Sequence, residues 1–291
     1  MRADFARAAA SYDQAAVLAA EVGRRMDARL DVVRLQPARL ADIGCATGAG
    51  VRALQARYPE ALPVALDYAL PMLARVTQME RTPAVRGASL LQRLGERLRG
   101  GPAARGARLV NGDVNCLPLA DGSLDLIWSN LMLHWLDDPL PALRELQRVL
   151  AVDGLLTFSL LGPDTLKELR AAARACGIEP PLRAFHDMHD IGDMLVAAGF
   201  ADPVMDMELI TLTYRTPRGL LRDQRHLGVR DGLLGHLPWR QWRRVLAAWA
   251  ESGDPLPATF EVVYGHAWKA APQPPTRTAD GRSVIQFQKR P

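Results

Sequence analysis

Apolar residues at Phe5, Ala8, Ala9, Tyr12, Val17, Leu18, Val22, Met26, Leu30 and Val33 recur mostly three to five positions apart. That period predicts a helical segment over 2–35, stopped by Pro37. Arg39-Leu40-Ala41-Asp42-Ile43 then reads as a short strand running into Gly44-Cys45-Ala46-Thr47-Gly48. A helix is expected next, with Val51, Leu54 and Tyr58 on one face and Pro59 as its stop. A strand at 64–67, a helix over 69–79 and strands at 109–113 and 124–129 continue the series. A helix at 140–150 follows, and after a turn at Asp153-Gly154 a strand over 155–160. Such alternation indicates βαβ units around a parallel sheet. It lapses over 163–190, which reads as an insertion, and resumes with a helix at 190–198 and a strand at 208–214. Helices around 217–227 and 239–251 and a strand over 259–268 complete the pattern, and a Pro-rich tail after Ala271 is expected to be loose.

Composition narrows the class. The 291 residues are 48% hydrophobic and 23% charged, which excludes a disordered or collagen-like chain. The longest apolar runs fall far short of a membrane span, and Met1-Arg2-Ala3-Asp4 does not lead into an apolar leader. Three unclustered cysteines, Cys45, Cys116 and Cys176, suit a reducing cytoplasm. The net charge of +4 is mild for a nucleic-acid binder, but Arg81, Arg86, Arg93, Arg97, Arg99, Arg105 and Arg108 face only Glu96 within one segment. These arginines do not alternate with aromatics as a base-stacking surface would, so no nucleic acid is expected. His186 and His189, with Asp187 and Asp190 beside them, lack convincingly placed companions, and no metal role is assigned. Trp135, Trp239, Trp242 and Trp249 are read as core residues.

The candidate chemistry lies at the strand ends. The glycine turn at 44–48 lets backbone N–H groups approach a ligand, and its spacing, Asp-x-Gly-x-Ala-x-Gly, departs from the dinucleotide fingerprint. An acidic residue at its head, Asp42, would repel a pyrophosphate and pair with an ammonium group. Asp67 ends the second strand, where a doubly wound sheet places its ribose-binding acid. Asp113 ends the third, suited to an adenine amine, and Asn130 ends the fourth. Four successive strands, each ending in a short polar residue, describe one site beyond the carboxyl edge of a sheet.

This ordered set resembles the class I S-adenosylmethionine-dependent methyltransferases, whose motif is met by Asp42, Gly44 and Gly48, with Ala46 in place of the middle glycine. The resemblance implies an α/β, Rossmann-like fold: a mostly parallel seven-stranded sheet with helices on both faces and an inserted helical lid. It divides the chain into an N-terminal helical cap over 1–36, a methyltransferase domain over 37–271 with the lid at about 163–190, and a tail over 272–291. It assigns the methyl donor S-adenosylmethionine to Asp42, Gly44, Cys45, Ala46, Gly48, Asp67, Tyr68, Met72, Asp113, Val114 and Asn130.

Stretches outside this core are similar to the malonyl-[acyl-carrier protein] O-methyltransferases of biotin synthesis. They include Phe5–Asp13, Leu117-Pro118-Leu119, Trp128–Leu131, His134-Trp135, Gly162–Arg170 and Glu261–Trp268, whereas Val152-Asp153-Gly154 departs from that family's usual turn. The similarity implies methyl transfer to the free carboxylate of a malonyl thioester on acyl carrier protein, or on coenzyme A; a cytoplasmic monomer without a metal is expected. Because that carboxylate is ionised at pH 7, positioning and exclusion of water would carry the catalysis, with no general base. Tyr12 is the expected hydroxyl near the reacting centre, Arg170 the fork on the carboxylate, and Phe185 a wall of the acyl pocket. Carrier proteins are typically acidic, so the arginines of 81–108 offer a docking surface, with Arg93, Arg97 and Arg99 as its test. The stretch Asp187–Leu195 also resembles methyltransferase-fold proteins of respiratory complex I assembly, which hydroxylate an arginine. A small-molecule carboxyl or C-methyltransferase is a third reading.

Overall fold

A computed structural model describes residues 2–81 and 106–271. The expectations for the arginine-rich segment between them, including Arg93, Arg97 and Arg99, and for the tail at 272–291 lie outside the described residues. Helices α1 (Arg2–Ala8), α2 (Tyr12–Ala15) and α3 (Val17–Arg29) precede β1 (Arg39–Ile43), α4 (Ala49–Arg57), β2 (Leu62–Asp67) and α5 (Leu70–Arg81). Next come β3 (Arg108–Asn111), β4 (Leu124–Ser129), α6 (Leu140–Val149), β5 (Leu150–Leu161), α7 (Lys167–Ala175) and α8 (Met188–Ala197). The order ends with β6 (Ala201–Tyr214), α9 (Pro217–His226), α10 (Arg230–Leu234), α11 (Trp239–Ala250) and β7 (Leu256–Trp268).

The seven strands form one sheet in the order β3-β2-β1-β4-β5-β7-β6. β1 to β5 pair in parallel, and β7 is antiparallel to both β5 and β6. β1 lies inside the sheet between β2 and β4, and Leu40, Ala41, Asp42 and Ile43 are all buried, as a strand covered on both faces requires. Its start is pinned by Asp125 of β4, whose carboxylate accepts the Ala38 and Arg39 N–H groups at 3.0 and 2.9 Å. The same carboxylate pairs with the Arg39 guanidinium at 2.7 Å. The chain reverses direction across the sheet between β1 and β4, so a crevice opens beyond their carboxyl ends.

Several expected boundaries move. The single N-terminal helix is three pieces, turning at 9–11 and at 16. Carbonyls freed at the first break are captured: the Arg75 guanidinium donates to Ala9 O and Ala10 O, at 3.1 and 3.0 Å. Asp153-Gly154 is not a turn between elements. β5 runs through it from Leu150, absorbing the irregularity as a bulge with Asp153 at φ +62° and a register shift opposite Leu124/Leu126. β6 begins at Ala201, earlier than its apolar pattern indicates, because an edge strand tolerates Asp202, Pro203 and Asp206.

The core has a cluster on each face of the sheet, with Trp128, Trp249 and Leu166 in one and Phe158, Ile127 and Leu143 in the other. Trp249 is fully buried, donates its indole N–H to Pro257 O at 3.0 Å, and so ties α11 to β7. Trp242 is buried as expected, but Trp135 is half-buried beside a cavity and Trp239 is 65% exposed. Among the described residues, no helix is long and apolar enough to cross a membrane.

Candidate functional site

The turn after β1 is shaped by three left-handed residues, Gly44 (φ +78°), Ala46 (φ +46°) and Gly48 (φ +85°). The Gly44 and Cys45 N–H groups donate to Leu66 O at 2.8 and 3.0 Å, which binds the turn to β2. At Gly44 a Cβ would collide with Met132, and Gly48 caps α4 in a conformation that suits glycine. Ala46 pays for the same conformation with a steric cost of about 1–2 kcal/mol. What holds it is Asp67: its carboxylate accepts the Ala46 N–H at 3.0 Å and the Ala69 N–H at 2.8 Å. Burial of Asp67 raises its pKa, and these N–H groups oppose that rise.

Beyond the turn lies a cavity of about 290 Å³. At one end it is lined by Gly44, Ala46, Asp67, Tyr68, Met72, Asp113, Val114 and Asn130, so these expected donor-binding residues are brought together. One Asp113 oxygen accepts the Asn115 backbone N–H at 2.8 Å and its amide at 3.0 Å. The Asn130 amide already serves the fold: it donates to Ala19 O at 2.8 Å and accepts the Ser159 hydroxyl at 2.8 Å.

Asp42, Cys45 and Gly48 do not line the cavity. The Asp42 side chain turns away beneath α4, accepts the Val51 N–H, and is pushed up to about 7, chiefly by burial. It is therefore not poised to pair with an ammonium group in the cavity. The Cys45 thiol is also buried and shifted well upward by desolvation.

The N-terminal segment forms one cover. Phe5, Tyr12, Ala15, Ala16, Leu18 and Ala19 line the cavity. Polar ties fix this cover: the Thr47 hydroxyl donates to Asp13 at 2.6 Å, Arg75 holds Ala9 and Ala10, and the Ser11 hydroxyl reaches His226 O at 3.3 Å. The Phe5 ring meets the edges of Tyr68 and Trp135, each at 6.1 Å. Desolvation, then the charge of Asp67, drives the Tyr12 phenol well above its ordinary range, so it remains protonated.

Residues 163–190, the expected lid, contribute no lining residue to this cavity. The Arg170 guanidinium is taken by two backbone carbonyls, Thr165 O at 3.2 Å and Arg183 O at 2.5 Å, and does not reach a ligand there. Phe185 packs edge-on against His134 at 5.4 Å and lines a separate cleft on the far side of that histidine. The far end of the main cavity is built instead by β6, β7 and α9: Leu212, Tyr214, Phe260, Asp223 and Gln224. Gln224 is 3% exposed, and its amide has no hydrogen-bond partner among the described residues. The sequence signal for it is slight: a polar residue four positions after Leu220, on the buried stripe of α9. His134, also unforeseen, is held neutral by burial and then by the charge of Arg183, which lower its pKa to about 3. Its Nδ1 accepts the Leu161 N–H at 3.3 Å.

Two outcomes follow from this arrangement. Ala46→Gly relieves the left-handed strain while loosening the unfolded chain, for a net gain of about 0.5–1 kcal/mol in a urea melt. A loss of stability would mean that the methyl group is not strained. The second concerns pH. The raised Asp42 pKa contributes stability that is present below about 4 and is lost as pH rises through about 7. The lowered His134 pKa contributes stability that is present above about 6.5 and is lost as pH falls toward about 3. The two oppose each other in between, so Asp42→Asn should melt with a steeper fall in Tm from pH 6.5 to 4.5 than the unaltered chain. Parallel profiles would show that Asp42 is ionised throughout.

A methyltransferase-domain family model matches residues 41–158, which hold the glycine turn and the tips of β1 to β4. The chain is similar to the malonyl-[acyl-carrier protein] O-methyltransferase of Laribacter hongkongensis, at 48% identity over 99% of this chain and 94% of that protein. It is similar to the protein of that name from Gallionella capsiferriformans, at 46% identity over 98% of this chain and 94% of the other. The fold is shared with the Bacillus subtilis protein YcgJ, at a TM-score of 0.56 and 16% identity, covering 86% of this chain and 99% of YcgJ. By near full-length similarity at these identities, the chain belongs to the malonyl-[acyl-carrier protein] O-methyltransferase family.

Proposed function

We propose that this protein transfers a methyl group from S-adenosylmethionine to the free carboxylate of a malonyl thioester borne on an acyl carrier protein. The observation that carries this reading is the charge of the cavity. Among the described residues it is lined by Asp67, Asp113 and Asp223 and by neither lysine nor arginine, so it suits a ligand with positive charge. When bound, S-adenosylmethionine supplies an electrophilic methyl group on a cationic sulfur. Asp67 at the end of β2 holds its ribose and Asp113, two residues beyond β3 and not at its end as expected, its adenine, while Gly44 leaves space for close backbone approach and Tyr68, Met72 and Val114 give apolar walls.

The acceptor carboxylate needs no base, because it is ionised at pH 7. Tyr12 and Gln224 are neutral donors facing the cavity, and they can orient an anion without neutralising it. A carboxylate held by neutral donors in an apolar chamber stays more nucleophilic than one clamped by a guanidinium. That logic fits the engagement of Arg170 elsewhere. The cover of residues 5–19 excludes water from the reacting atoms. The complex I assembly reading is not favoured: the relatives matching nearly the whole chain carry the other name, and Asp187 serves as an ordinary N-cap, accepting the His189 N–H at 2.8 Å.

The direct test incubates the protein with S-adenosylmethionine and malonyl-carrier protein and follows the carrier by mass spectrometry. A gain of one methyl group is expected, and an unchanged carrier mass rejects the reading. Asp67→Ala should weaken donor binding in calorimetry by roughly 1.5–3 kcal/mol, the scale of a lost charged hydrogen bond; unchanged affinity would remove Asp67 from the ribose. Gln224→Leu, close to isosteric, should raise KM for the malonyl substrate several-fold and leave donor affinity intact. A fall in donor affinity alone would place Gln224 at the other end of the cavity.

A further inference from the structure

Arg218, Arg222 and Arg225 lie four and three positions apart, so they form one stripe along α9, with Arg215 just ahead of its N-cap, and all four are exposed. The opposite face of this helix buries Leu220 and presents Gln224 to the cavity. An α-helix is about 10 Å across, so the stripe stands one helix thickness outside the chamber. Arg215, Arg218 and Arg225 have no ionic or hydrogen-bonding partner among the described residues, and Arg222 has only Asp223 at 3.7 Å. The neighbouring helix α11 packs on α9 and opens with Trp239, 65% exposed, with Arg243 four positions later on the same face. From 215 to 244 the chain holds eight arginines, two aspartates and no other charged residue.

Unpaired like charges cost stability through mutual repulsion, and an exposed tryptophan among arginines is the composition of an interface anchor. We infer that this face of α9 and α11 is the docking surface for the acidic carrier protein, an inference that rests on the malonyl-carrier reading above. Docking here sets the carrier against the wall of the chamber that its thioester enters. The arginine stripe steers and orients the carrier, and Trp239 supplies the desolvated contact. This places docking on α9 and α11, beside the end of the cavity that takes the acceptor, and not on the arginines of 81–108.

The test compares two acceptors, malonyl-carrier protein and malonyl-pantetheine, whose arm is uncharged. For Arg218→Glu/Arg222→Glu/Arg225→Glu, kcat/KM with the carrier should fall at least tenfold and that with malonyl-pantetheine by less than twofold. The glutamine triple variant should show a smaller loss with the same selectivity, and Trp239→Ala should raise KM for the carrier alone. The wild-type rate with the carrier should fall steeply with added salt, and the rate of the glutamate variant should not. Equal losses with both acceptors, no loss with either, or a carrier-specific loss confined to Arg93→Glu/Arg97→Glu/Arg99→Glu would overturn the assignment. Wild-type protein that methylates neither acceptor would refute the underlying reaction, a result distinct from any of these.

Discussion

The site depends on one buried carboxylate that joins two strands. Asp67 ends β2 and accepts an N–H from the turn after β1 and another from the start of the segment leading into α5. A carboxylate taken out of water without partners costs several kcal/mol, so the two backbone donors are what make its burial tolerable. In return it fixes a left-handed alanine in the turn and holds the tips of the two strands in register. Space for a ligand exists because the turn shows the cavity only Gly44 and Ala46 while the Cys45 and Thr47 side chains are buried, and Asp67 holds it in that shape.

Around that anchor, the molecule keeps its charges sorted. Among the described residues the cavity lining carries Asp67, Asp113 and Asp223 and neither lysine nor arginine, arginines such as Arg39, Arg57 and Arg148 pair with carboxylates away from it, and the buried His134 is neutral. Arg170 and Arg183 show how far this goes. Arg170 gives its guanidinium to main-chain oxygens, and Arg183 gives its own to three successive ones at His134, Trp135 and Leu136 and to the Asp137 carboxylate at 2.8 Å. These arginines stabilise loop geometry behind the chamber and leave its interior free of fixed positive charge. On the proposed reading, an acceptor anion and a cationic donor meet there as the dominant opposite charges in a low-dielectric space, where their attraction is strongest.

The strand ends are the most legible part of the sequence, because a short polar residue closing an apolar run is a local pattern. Asp67, Asp113 and Asn130 all stand on the cavity as that pattern implies. Side-chain direction is not local. Asp42 sits on the same motif, yet its register opposite Ala65 and Trp128 turns it under α4. Residues brought from distant segments are harder still. Gln224 lies in a helix that looks ordinary by composition, and its place on the cavity depends on β6 and β7 delivering Tyr214 and Phe260 to the same wall. Arg170 shows the reverse: the residue type suits a carboxylate, but nearby carbonyls take it first. The helix at 217–226 and the antiparallel strand at 256–268 are readable as elements, whereas their meeting with residues 5–19 is a property of the fold.

The placement of β7 between β5 and β6 constrains how the chain is made. Among the described residues β6 pairs with no strand except β7, which is synthesised some forty residues later. On a ribosome adding about 5–20 residues per second, the finished β6 waits seconds with both edges open. The cover formed by the first twenty residues waits longer, since its partners at Leu212, Gln224 and Phe260 emerge near the end of translation. A nascent chain truncated before Leu256 would hold Leu212, Tyr214, Asp223 and Gln224 but lack Phe260 and the strand that joins β6 to the sheet, so the far end of the chamber is assembled only when β7 arrives.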